Sequence, residues 1–459
     1  MVATSCCLVS SARAEAGRFH DAVAYDPASV DLHVVDADDR GDGHWIVLGS
    51  HIDIDNRETP YLSLRTHGGR RVAAVALDPP AGTSWSPRGL VVLEGAAVLV
   101  AGIQSDPQDF EASQAIFVVR LDDALSPTWS RIFSIDGVSI TNAAFRPAAG
   151  GTVAITGGVQ RIVDGTLEPA DALLARIDGS TGDVVDAHAI GTPAWDERGA
   201  DIAFTATGSA LLLEVSREAG TGRAFADGIV GFDAAGTFAA AHVAGHAIAS
   251  PIRASAQRIL ADSRGWVIAG RRTVFGPNVF YTQRVSSAFV PMPVRTLIPF
   301  FNVADVATDG SDGLLLFGEA NSEASDRGTA LIRVDAQLGI RSQHRFGTRN
   351  LDFPTGAIAA GDNGRVIAVG GARDDDGLRF ESIDRIDAVT DASLLCDDEP
   401  YDGFSAVVDG IDSWPAWEPA VAPVALSSAA ASTTSRTLDA EPIADCAHAD
   451  DRVFRDGLD

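Results

Sequence analysis

Short apolar runs recur along this chain, each set off by a glycine. "HWIVL", "AAVLVA", "TVAIT", "SALLL", "WVIA", "LLLF" and "RVIAV" follow Gly43, Gly95, Gly151, Gly208, Gly265, Gly313 and Gly364, at steps of 52, 56, 57, 57, 48 and 51 residues. Runs this short, rich in Val and Ile and lacking a 3.6-residue stripe, predict buried strands rather than helices. Glycine in the preceding turn accepts positive φ without steric cost, which suits a tight hairpin. Six of the runs end at a second glycine: Gly49, Gly102, Gly157, Gly270, Gly318 and Gly370. In the fourth, Glu214 and Val215 occupy that place.

A second mark keeps register with the first. "LSLRT", "FVVRLD", "LLARID", "IVGFD", "YTQRVS", "ALIRVD" and "SIDRID" share one frame. Arg65, Arg120, Arg176, Arg284, Arg333 and Arg385 hold a common position in it, and Gly231 replaces the arginine in the fourth copy. Each unit resolves into four strands. In the sixth these are "NVADVAT", "LLLFGE", "TALIRVD" and "IRSQHRFG". One such sheet cannot bury both its faces, so the units must stack on one another around an axis. The expected fold is all-β: a seven-bladed β-propeller of four-stranded antiparallel blades over residues 17–400. Either "GRFHDAVAY" from the N-terminus or "SLLCDD" after the last repeat would complete the final blade.

The turn glycine, the "VIAVGG"-type strand, the variable loop and the "LIRVD"-type strand resemble the delta-sixty and SBBP-type β-propeller repeats of exported bacterial proteins. That resemblance implies secretion and a propeller. It carries no catalytic residues to transfer. The fourth and fifth units depart from the pattern, and the WD-repeat signature is absent.

From residue 401 the composition changes. "WPAWEPAVAPVALSSAAASTTSRTL" is rich in Pro, Ala and Ser, and Pro415, Pro419 and Pro423 would interrupt a helix or a central strand. Residues 401–459 therefore read as an irregular C-terminal extension. Cys396 and Cys446 would pin it to the last blade if they pair, closing a loop worth about 4 kcal/mol on the chain-entropy model; two separate thiols are the alternative. Residues 1–16 look like the remnant of a signal peptide, with small residues at Ala12 and Ala14 placing cleavage after Ala14, although the usual basic start is missing. The expected location is secreted, periplasmic or associated with the cell envelope.

Charge narrows the partners. Net charge is −28, with 63 acidic residues against 35 basic ones, and every basic residue is arginine. A nucleic-acid partner needs a basic stripe to displace counterions, so none is expected. The absence of lysine removes Schiff-base chemistry and lysine-dependent phosphate sites. No apolar run reaches the ~18 residues of a membrane span, and the chain is expected to be a monomer.

Loops joining second to third strands emerge together on one propeller face, and here they are long and acidic. Loops on a rigid scaffold are where binding residues concentrate. The candidates are Asp53, Asp55, Glu58, Asp106, Asp109, Glu111, Glu323, Asp326, Asp374, Asp375 and Asp376. Calcium is the cation such groups suit. Asp36, Asp38, Asp53 and Asp55 are the candidate ligands, but none lies in a D-x-D-x-D-G loop, and no other cofactor is expected. Arg40-Gly41-Asp42 is an adhesion-type tripeptide in a predicted turn. His242 and His246 stand four apart on a predicted strand, where that spacing does not build a zinc site. The repeated arginines are expected to pair with turn carboxylates such as Asp42, Asp262, Asp312 and Asp362.

The function this favours is a non-catalytic exported propeller that holds a protein or glycan partner on its acidic loop face. A propeller enzyme, a lyase or glycoside hydrolase working at the central funnel, is the alternative. A structural envelope protein is the third.

Overall fold

The computed structural model describes residues 19–445 apart from 24–28, 68–69, 109–113, 164–165, 220–221, 249–253, 274–277, 299–300, 310–312, 323–325, 347–355, 362–364, 374–378, 388–391, 394–398, 401–404, 410–418 and 439. The chain is a seven-bladed β-propeller. Its innermost strands are Ser29–Asp39, Ser84–Val92, Val138–Pro147, Asp196–Thr205, Ala254–Asp262, Phe301–Thr308 and Gly356–Ala360. From each, antiparallel strands step outward in sequence order. Among the described residues no helix is long and apolar enough to cross a membrane.

The apolar runs are continuous because both faces of each sheet are buried. Trp45 and Val47 pack toward the seventh blade, with Ala357, Ile367 and Val369. Ile46 and Leu48, one residue out of phase, pack toward the second blade with Trp85, Val98 and Phe117. The same alternation fills the remaining blade interfaces, so every blade has an apolar cluster on each side and the ring is closed. A period of two with both phases apolar is what a strand between two neighbours requires.

The second glycine has a packing cause. Gly49 is in register with Tyr61, and a Cβ on it would stand 2.3 Å from the tyrosine ring. Gly102 faces Phe117 in the same way, where a Cβ would lie 2.1 Å from the Ser86 carbonyl oxygen. An aromatic ring on the third strand covers a bare stretch of the second. In the fourth unit Gly231 makes room for the Phe289 ring, 2.1 Å from where its Cβ would be, and that ring stacks on Trp266 at 4.5 Å. The turn glycines differ among themselves. Gly43, Gly95 and Gly151 have φ of 90°, 75° and 74°. Gly208 instead opens a strand, where a Cβ would meet the Phe232 carbonyl oxygen at 2.2 Å.

Both candidate closing segments reach the seventh blade. Phe19–Val23 pairs with Arg379–Asp387 through Phe19–Ile383, His20–Ser382 and Asp21–Glu381, supplying the fourth strand. Ala392–Ser393 pairs with the far end of the same strand at Ile386 and Asp387.

The chain from Glu399 onward, of which residues 401–459 were expected as an irregular extension, supplies short edge strands. It runs backward around the ring: Glu399–Pro400 on the sixth blade, Ser405–Asp409 on the fifth, Ala420–Pro423 on the third, Ser427–Ala430 on the second, Thr434–Thr437 on the first and Ala440–Asp445 on the seventh. Strand-to-strand twist of about 20–25° turns the outermost strand nearly crosswise to the innermost one. A chain pairing with it therefore travels around the circumference. Prolines are admissible because these strands have a free outer edge. Leu438 is buried with the core between the seventh and first blades.

Candidate functional site

The innermost strands carry a repeated irregularity. Register shifts occur at Val34/Asp36, Pro87/Gly89, Thr141/Ala143, Gly199/Asp201, Ala256/Arg258 and Val303/Asp305. A bulge re-aims the side chain beside it. Three of the residues just past these bulges are aspartates, and each holds the next blade. Asp36 accepts the Leu90 amide at 3.0 Å, Asp201 the Ile259 amide at 3.1 Å and Asp305 the Ile358 amide at 3.1 Å. An innermost strand has no sheet partner on its inner edge. The carboxylate supplies one, and the buried donor is satisfied.

Arginines complete the ring of charge. Arg146 of the third blade places Nε 2.9 Å from Asp201 Oδ1. Arg258 of the fifth donates from Nε to Asp305 Oδ1 at 2.8 Å. Burial alone would lower the Arg258 pKa, and the carboxylates of Asp305, Asp201 and Asp36 more than reverse it, raising it above the ordinary value. Burial pushes the Asp36 carboxyl up, against the pull of Arg258 and Arg146. Burial, reinforced by the neighbouring Asp36, pushes Asp38 up to about 7.

On the loop face, Asp53 organises a tight turn: its Oδ1 accepts the amides of Asp55 at 2.9 Å and Arg57 at 2.8 Å. Glu58 accepts the Ser50 hydroxyl at 2.6 Å. Both are therefore engaged within the first blade, while Asp55 and Asp106 are exposed. Asp106 also accepts the Gln108 amide at 2.8 Å. The turn at Asp53 carries Ile54 outward, 73% exposed. Asp109, Glu111, Glu323, Asp374, Asp375, Asp376, Cys396 and Cys446 lie outside the described residues, as do the first 18 residues; Asp326 opens the strand Asp326–Val334. Of the cation candidates, Asp36 and Asp38 are on the innermost strand, Asp53 ends the second strand, His44–Asp53, and Asp55 is in the turn that follows. Among the described residues no three His, Cys, Asp or Glu side chains group to hold a metal ion.

Arg40 is buried, bonds Asp42 and donates to the Asp123 carbonyl at 3.0 Å, so the tripeptide is folded onto the second blade. His242 and His246 share the outer strand Phe238–Ile248. The repeated arginines take several partners. Arg284 reaches Asp262 and, at 2.8 Å, the Ala336 carbonyl of the sixth blade. Arg333 takes Asp309 at 2.9 Å, one residue of the turn earlier than the "GSDG" stretch. Arg176 pairs with Asp186 on the adjacent outer strand, and Arg120 donates to Thr128 at 3.2 Å. Arg65 is buried, and Arg385 lies on Arg379–Asp387.

No protein-family model matches the chain, and no curated protein is similar to it in sequence. Solved structures are similar in shape. Polysaccharide lyase Uly1 superposes with a TM-score of 0.50 at 8% identity, over 80% of this chain and 91% of that one. A protein of unknown function from Dyadobacter fermentans DSM 18053 gives 0.44 at 11% identity, over 81% and 98%. The phage phi92 endosialidase gives 0.38 at 9% identity, over 80% and 69%. The likeness is one of fold.

Sequence reasoning missed Asp201 and Asp305, and took Asp36 only as a cation candidate. A signal exists: Asp36, Asp201 and Arg258 each stand seven residues before a turn glycine, Gly43, Gly208 and Gly265.

Proposed function

We propose that this chain is an exported, non-catalytic propeller that binds a protein or glycan partner through the loops between its second and third strands. One observation carries the reading. Asp201, Asp305, Arg146 and Arg258, on the innermost strands where a propeller enzyme would present charge to substrate, are bonded to one another or to backbone amides of the next blade. The loop face remains available, and there Ile54 stands in solvent between Asp53 and Asp55. An aliphatic tip flanked by carboxylates suits a surface with an apolar hollow and a basic or hydroxyl-rich rim. Export rests on the resemblance to the repeats of exported bacterial proteins.

The test is a glycan-array and immobilised-protein screen with the native chain, the variant Ile54→Ser/Asp55→Arg and calcium as an added variable. Binding that the double variant loses supports the reading. Turnover of a polysaccharide without loop dependence would replace it.

A second reading, a lyase or glycoside hydrolase, is favoured by Asp38. A carboxyl pushed up to about 7 is poised for acid–base work at neutral pH. Release of unsaturated or reducing ends from a polysaccharide panel, abolished by Asp38→Asn, supports that reading.

A further inference from the structure

Two axial carboxylates are held in the same way. Asp201 of the fourth blade meets Arg146 of the third at 2.9 Å and accepts the Ile259 amide of the fifth at 3.1 Å. Asp305 of the sixth meets Arg258 of the fifth at 2.8 Å and accepts the Ile358 amide of the seventh at 3.1 Å. Each is the residue just past the bulge of its innermost strand. Each has an arginine on the blade before and an amide on the blade after.

The second, third and fourth blades repeat two of these three parts. On the second blade the register passes from Pro87–Gly102 to Gly89–Ala101, which leaves Arg88 on the bulge. Arg88 is the middle residue of Ser84–Val92, and it is exposed. Both faces of that sheet are covered by neighbouring blades, so solvent reaches the middle of the strand only from the axis. The backbone beside Arg88 is pinned. Asp36 accepts the Leu90 amide at 3.0 Å, and a Cβ on Gly89 would stand 3.4 Å from Asp36 Oδ2 and 3.5 Å from the Phe145 Cβ. On the fourth blade Ile202 stands opposite Leu211, as Ile259 stands opposite Ile268 on the fifth, so its amide holds the same inner-edge place. The part that differs is the carboxylate. The residue just past the bulge of the third blade is Ala143, and alanine carries no acceptor.

Four arginines lie on the described innermost strands. Arg146, Arg198 and Arg258 have the partners Asp201, Asp196 and Asp305. Arg88 makes no hydrogen bond or ion pair among the described residues. A guanidinium fork matches a carboxylate through two parallel bonds, and a channel with low-dielectric walls focuses the field of a cation on an entering anion.

We propose that the axial channel takes a small carboxylate ligand beside Ala143, between the Arg88 guanidinium and the Ile202 amide. The ligand's carboxylate fills the place that an aspartate fills on the fourth and sixth blades. This site is separate from the loop tips, and a free carboxylate and the carboxylate of an acidic sugar satisfy it by the same chemistry.

Isothermal titration of the full chain with sodium acetate, and separately with sodium D-glucuronate, tests this against sodium chloride at equal ionic strength. Saturable binding of a carboxylate is expected. Equal affinities would make the carboxylate the whole determinant, and tighter glucuronate would make the sugar part of it. Arg88→Gln should weaken binding at least about tenfold, the worth of one hydrogen bond to a charged group. It should leave the ligand-free Tm unchanged, because Arg88 has no partner to strand. Arg341→Gln, at an exposed arginine of the outer strand Ile340–Phe346, should leave binding unchanged. Ala143→Asp should supply the carboxylate from the chain itself, raising Tm and abolishing acetate binding, whereas Ala143→Asn should do neither. Absence of saturable binding overturns the proposal. So does binding that survives Arg88→Gln or is lost equally in Arg341→Gln, a fall in Tm on Arg88→Gln, or an Ala143→Asp variant less stable than Ala143→Asn.

Discussion

Arg258 of the fifth blade and Asp305 of the sixth are joined at 2.8 Å beside the axis, and the same carboxylate accepts the Ile358 amide of the seventh. Three blades meet at one aspartate. Both side chains are largely buried, so removing either strands a charge. Arg258→Ala should cost about 3–5 kcal/mol, measured by denaturant unfolding. Arg258→Met/Asp305→Asn together should cost less than the sum of the single changes. Additive costs would show that the two residues do not act as a pair.

Asp38 gives the protein a pH dependence of defined sign. Its folded-state pKa is raised from 3.8 to about 7 by burial and by Asp36. Between those values the folded state binds the proton more tightly than the unfolded one, so this group favours folding at the acid end and loses that contribution as pH rises through 7. Asp36, also raised, acts in the same direction. Asp38→Asn should therefore raise Tm at pH 8 and raise it by less at pH 5. Equal effects at both pH values would place the Asp38 carboxyl in the ordinary range.

The repeated arginines should differ in weight. Arg333 and Asp309 have side chains only 11% and 0% exposed, whereas Arg176 and Asp186 are 38% and 27% exposed. Arg333→Ala should cost about 3–5 kcal/mol because it leaves a buried carboxylate. Arg176→Ala should cost about 0–1 kcal/mol, as solvent screens the pair. Thermal unfolding of the two variants side by side measures the contrast; equal losses would argue that the frame position, rather than burial, sets the cost.

Leu438 couples the tail to the core. It sits with Ala74 and Ala76 of the first blade and Ala357 of the seventh, and its amide bonds Ala74. Leu438→Ala should cost about 2–5 kcal/mol, the usual range for a buried leucine. Limited proteolysis should then cut first within the tail. A variant as stable and as resistant as the native chain would mean the tail strand is not docked in solution.

Blade number and strand order were legible in the chain. Packing a strand between two neighbours makes both phases of its pleat apolar, and tight turns admit glycine, so each unit leaves its print locally. The glycine at Gly49 was visible, but the Tyr61 ring that requires it belongs to the next strand and was not. The axial aspartates look like surface charge in the sequence, because their partners are amides of a different blade some fifty residues away: Asp201 with Ile259, Asp305 with Ile358. The turn arginines announced a common role, yet their partners vary from Asp262 to Asp309 to Asp186, since a long side chain takes whichever carboxylate the local twist brings near. The pairing of the tail with the blades was not legible for the same reason. Its residues are poor strand formers, and only the unfilled outer edges of blades already assembled make strands of them. Short-range physics, the pleat and the hairpin, was written in the sequence; bonds between blades were decided by the closing of the ring, which brings together groups that no local pattern relates.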